Sequence, residues 1–153
     1  MELLIKDLCA RLPYGVRVSL TEPKRDDSAS EFSYRDGRFL TGILYAVYPQ
    51  ENRVIIDELS EPIAQYNVRC GGFDIDECNV RPYLRLMSSM TEEEREEFRV
   101  LGGVTSYSPQ HNTWAVSAFS PEAYDWLLAN HFDYYGLIPM GLALEAREGM
   151  YRL

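Results

Sequence analysis

The sequence predicts an α+β fold. An N-terminal helix leads into a small, strongly bent antiparallel sheet or SH3-like barrel in the N-terminal half, and two further helices pack in a C-terminal α/β segment. Three observations carry this. Short runs that alternate with period two, or that are rich in β-branched and aromatic residues, crowd the stretch from Val16 to Met87. One apolar stripe at helical spacing precedes them. Two helix-start signatures, at Thr91 and Ser120, follow them.

The opening stripe is Leu4, Ile5, Leu8 and Leu12, and Pro13 disfavours helix beyond Leu12. After the Tyr14-Gly15 turn, Val16, Val18 and Leu20 alternate with Arg17 and Ser19, the pattern of a half-buried strand. Residues 21 to 38 hold few apolar anchors and many turn formers, Pro23 and Asp36-Gly37 among them, and are expected to form a mobile loop. Phe39 to Tyr48, the turn Pro49-Gln50-Glu51-Asn52 and Arg53 to Leu59 make a hairpin. Ile63 to Arg69 is expected as a further strand, ended by a Gly71-Gly72 turn, and Tyr83 to Met87 as a short last strand after Pro82.

Thr91-Glu92-Glu93-Glu94 matches the capping box, and its carboxylates suit the positive end of a helix, so a helix over about 92 to 101 closes at Gly102-Gly103. Val104 to Tyr107 and Thr113 to Phe119, joined by Ser108-Pro109-Gln110-His111-Asn112, form a second, smaller hairpin. Ser120-Pro121 starts the last helix, which runs to about Asn130, with Phe119 and Tyr124 at the positions of a hydrophobic staple. Its Tyr124, Leu127, Leu128 and His131 share a face. Gly136 to Gly141 is too broken for a long element, and Leu142-Ala143-Leu144 is a short apolar segment. A single domain over 1–153 is expected, with lobes 1–90 (helix plus small β-barrel or sheet) and 91–153 (helix, hairpin, helix, irregular tail).

With 46% hydrophobic and 25% charged residues, a chain of 153 has the composition of a core-forming domain. No run approaches the roughly 18 apolar residues of a membrane helix, so neither a membrane span nor a signal peptide is expected. Fifteen Lys and Arg against twenty-four Asp and Glu leave a net charge of -9, which repels a phosphate backbone and argues against direct nucleic-acid binding. Cys9, Cys70 and Cys78 are odd in number and show no paired short spacing. They suit free, buried thiols in a reducing, cytoplasmic compartment.

Several residue groups carry chemistry by type. Alternating Asp74, Asp76 and Glu77 could chelate a hard cation, but the further oxygen ligands and turn glycine of a calcium loop are missing, and a solvated acidic loop is the plainer reading. Cys70, Cys78, His111 and His131 are zinc-ligand types at spacings that match no common site, and are read as buried thiols with surface or capping histidines. No G-x-S-x-G elbow or phosphate-loop lysine accompanies a nucleophile or glycine pair, and the expectation leans away from an enzyme, with no catalytic residue, metal or cofactor. Trp126, Tyr134, Tyr135, Ile138 and Met140 are a candidate interaction surface, since aromatics with polar tips are enriched at interfaces. Core packing is the stronger alternative for them.

The strings Asp7 to Val16, Arg81 to Glu94 and His131 to Ala143 resemble an uncharacterised family of small proteins from Bacteroidales genomes and their phage-like or mobile elements. The resemblance implies a bacterial or phage setting and transfers no catalytic residue. The expected function is a non-enzymatic protein-interaction module with an unidentified protein partner. Alternatives are an acidic phage-type decoy of nucleic acid, which needs carboxylates clustered on one face, and a small metal-dependent enzyme using Asp74, Asp76 or Cys78.

Overall fold

The computed structural model describes residues 2–21, 38–63, 67–108 and 113–151. The loop expected over 21 to 38 lies outside these except at its ends, as does the 109–112 turn with His111. The chain divides into two units, Met1–Tyr83 and Leu84–Leu153.

In the first unit, α1 (Glu2–Arg11) buries Leu4, Asp7, Leu8 and Arg11. The expected stripe is corrected here: Ile5 and Leu12 are only half-buried. An i,i+4 ion pair, Arg11 Nε to Asp7 Oδ2 at 2.8 Å with both side chains fully buried, occupies the inner face instead. Five strands follow: β1 (Arg17–Thr21), β2 (Phe39–Tyr48), β3 (Arg53–Asp57), β4 (Gly71–Asp74) and β5 (Arg81–Leu84). They are arranged β4-β3-β2-β1-β5 with antiparallel pairings throughout. The register sets Leu20 opposite Leu40 and Val54 opposite Phe73, and alternation gives one apolar face that includes Val18, Leu44 and Ile56. Helix α1 packs on β2. The register of β2 against β3 shifts between Leu44 and Ala46, a bulge that bends the strand.

This sheet is open, not a barrel. β1 is occupied by β2 on one side and β5 on the other, so the strand order is linear, with β4 at one margin. The expected strand over Ile63 to Arg69 is reduced, among the described residues, to a single Ile63–Val68 bridge. Asn67 there has φ 50, which no strand accommodates, and its N–H donates to Ile63 O. The expected Gly71-Gly72 turn is instead part of β4. A Cβ on Gly71 would meet the tip of the Ile63 side chain and one on Gly72 would lie 2.5 Å from Arg53 Nη2, so a larger residue here would displace the side chains that cross the strand.

In the second unit, Met87–Ser89 is a 3-10 turn where the strand was expected to continue. α2 (Glu92–Val100) begins with both capping-box bonds, Glu94 N to Thr91 Oγ1 at 3.1 Å and Thr91 N to Glu94 Oε2 at 2.9 Å. It closes at Gly102, with φ 99, while Gly103 N donates to Phe98 O. β6 (Val104–Ser108) and β7 (Thr113–Ala118) form the second hairpin. α3 (Pro121–Ala129) is capped by Ser120, whose Oγ accepts from Ala123 N, and the Phe119 and Tyr124 rings stack at 5.3 Å. Last comes β8 (Leu144–Glu145), attached where Ala146 N donates to Leu84 O. Met90, Phe98, Ala123, Leu127 and Phe132 form a core of this unit, and α2 packs on α3 and β6. Among the described residues no helix is long and apolar enough to cross a membrane.

Candidate functional site

Within the Leu84–Leu153 unit lies a cleft of 580 Å³ whose lining includes Arg85, Glu94, Glu145, Arg147 and Tyr151. Its shape comes from local backbone chemistry. Arg85 forms a parallel bridge with Phe132: Arg85 N donates to His131 O and Asp133 N to Arg85 O, both at 2.8 Å. That places the guanidinium carbon 4.2 Å above the Phe132 ring, while Nη2 donates to Glu94 Oε2 at 2.9 Å. Arg85 is thus fixed on three sides before any ligand arrives.

Glu94 serves two structures at once, because the oxygen that takes the Arg85 bond also takes the Thr91 N–H of the capping box. Partial burial alone would raise its pKa, but the Arg85 hydrogen bond, the Thr91 amide and the guanidinium charge outweigh it and hold the carboxyl below the ordinary glutamate range. Part of the lining is a turn: Met150 N donates to Arg147 O, and Gly149 sits at φ 80 where side chains are disfavoured. Tyr151 at its end stacks on the His131 ring at 3.7 Å.

A second feature runs along α2. Glu92, Glu93, Glu96 and Glu97 are exposed beside a shallow groove floored by the helix and Thr105. The helix then ends on exposed apolar Val100 (73%) and Leu101, and exposed Val104 opens β6 just beyond. Arg99 is paired with Glu96, and Trp126 Nε1 donates to Glu97 Oε2 at 3.3 Å at the seam with α3.

The residues singled out from sequence are placed as follows. Asp74 Oδ1 accepts the N–H groups of Asp76 and Glu77 at 2.9 Å, and Asp76 Oδ2 accepts from Asn52 Nδ2, so these carboxylates tie a turn together. Among the described residues no group of three His, Cys, Asp or Glu side chains is placed to hold a metal ion. The expectation of buried thiols is corrected: Cys78 is buried, but Cys9 is exposed on α1, off its buried stripe, and Cys70 is exposed in the run of exposed residues ahead of β4. Of the surface and capping alternatives, His131 takes the capping one: it is buried, and with φ 61 it closes α3, its N–H donating to Leu128 O and that of Phe132 to Leu127 O. Of the candidate interaction residues, Trp126 lies with its ring 5.7 Å from both Phe98 and Phe132. Tyr134 packs 5.0 Å from Phe119, and the Tyr135 hydroxyl is 3.1 Å from that of Tyr124. Ile138 is half-buried and Met140 is 57% exposed.

Sequence reasoning missed Arg85, Glu145, Arg147 and Tyr151 as a group. They are ordinary surface residue types some 60 positions apart, joined only by strand pairing and a turn. No family model, no curated protein and no solved structure matches this chain.

Proposed function

We propose that this chain is a non-enzymatic protein-interaction module whose partner presents a basic, amphipathic segment. The observation that carries the reading is the outer face of α2, where exposed Glu92, Glu93, Glu96 and Glu97 run directly into exposed Val100, Leu101 and Val104. Carboxylates alone would attract any cation. Apolar residues at the helix end and at the start of β6 add a surface that water disfavours and a complementary apolar stripe would cover. The net charge of -9 likewise favours a basic partner and disfavours direct contact with nucleic acid. Part of this reading is a cytoplasmic setting of bacterial or phage origin, supported by the three sequence strings and by free, exposed Cys9 and Cys70, which persist as thiols in a reducing compartment.

Titration of the 15N-labelled protein with a synthetic lysine–leucine amphipathic helix tests it. Saturable amide shifts should map to α2 and Val104, and Val100→Asp should weaken the affinity by about tenfold, the loss of one central apolar contact. Equal binding of a peptide of the same composition in shuffled order would overturn the reading in favour of simple charge mimicry. Shifts scattered over the surface would overturn it as well.

A further inference from the structure

We propose that the cleft between Arg85 and the 145–151 segment binds a short zwitterionic peptide, its carboxylate on the Arg85 guanidinium and its ammonium at Glu145. This is a different site from the α2 face and stands without it.

The cleft wall brings both signs of charge together by backbone pairing. Arg85 and Glu145 both line this cleft, on segments joined where Ala146 N donates to Leu84 O. Arg85 is pre-positioned by the Phe132 ring and by Glu94, and that bond uses Nη2. Among the described residues none accepts a hydrogen bond from its Nε or Nη1. A planar cation held by packing, with N–H groups left over, is a carboxylate receptor with little ordering left to do on binding. Glu145 and Arg147 make no ion pair among the described residues, and Glu145 is exposed. A carboxylate without an ion pair among the described residues, in the same cleft as an anchored guanidinium, is complementary to a ligand that carries both charges, and disfavours one that carries only the negative charge.

Size and lining narrow the class. At 580 Å³ the cleft falls within the range of small-molecule sites and exceeds what a single amino acid fills. Leu86, Met150 and Tyr151 give it apolar contact surface beside the charges. A dipeptide with apolar side chains meets all of these conditions.

Three probes separate the contributions: leucyl-leucine, its N-acetyl derivative, which lacks the ammonium, and its C-terminal amide, which lacks the carboxylate. Leucyl-leucine should produce saturable shifts at the Arg85 Nε–H and the Gly149 and Tyr151 amides, with each blocked form at least about tenfold weaker. Glu145→Gln, an exposed substitution that leaves the fold intact, should weaken leucyl-leucine and the amide while leaving the N-acetyl form unchanged. Arg85→Gln should do the reverse. No saturable shift with leucyl-leucine would overturn the proposal. So would either blocked form binding as tightly as leucyl-leucine, or Glu145→Gln binding all three as the parent does.

Discussion

Asp7 and Arg11 occupy the inner face of α1, where the apolar count of the sequence had set Ile5 and Leu12. Their bond is short and both side chains are out of water, so removing one partner takes away a charge that offsets a buried one. Asp7→Ala should therefore cost about 3–5 kcal/mol, the range for a broken buried pair, in chemical denaturation. Smaller effects belong to the caps. Thr91→Ala loses one side of the capping box and should cost about 1 kcal/mol. Ser120→Ala should cost about 1–2 kcal/mol, since the same hydroxyl both accepts from Ala123 N and donates to Leu101 O. Unchanged denaturation midpoints would show that these hydroxyls do not act as caps. At Glu94 the folded-state pKa is depressed, so the stability from its ionised form is complete above the ordinary glutamate range and is lost as pH falls through the lowered value. Glu94→Gln should accordingly match the parent in strong acid and fall below it as pH rises. Parallel stability curves across that window would contradict the Arg85–Glu94 coupling.

Among the elements, the α2 C-terminus is the most tightly determined. Gly102 supplies the left-handed turn, and Gly103 lies so close to the Phe98 ring that a Cβ would overlap it. Phe98 is fully buried in the core of its unit, leaving the ring no free direction to retreat. Gly103→Ala should cost about 1–3 kcal/mol by overpacking. Leu127→Ala, on the inner face of α3, should cost about 2–5 kcal/mol by opening a cavity in the same core. Helix starts and ends were legible because capping is chemistry between residues three or four apart. The β4 strand was not. Its two glycines signal a turn by local propensity, and only the Arg53 and Ile63 side chains crossing them explain glycine in a strand.

At the scale of the molecule, charge dominates. A net charge of -9 and an isoelectric point near 4.7 predict a solubility minimum close to that pH, measurable by turbidity across an acid series. A minimum well above it would mean that many carboxylates are held protonated. The sequence by itself determined the α+β class, the β2–β3 hairpin, both capped helices and the overall acidity, because each follows from patterns over a few neighbouring residues or from composition. Only the tertiary structure decided that the sheet stays open, that Asp7, Arg11 and His131 are buried while Cys9 and Cys70 are not, and that Arg85 shares a cleft with Glu145 and Tyr151. Those outcomes depend on which strand edge is already paired and on which distant side chain fills a space. Neither leaves a periodic trace in the chain.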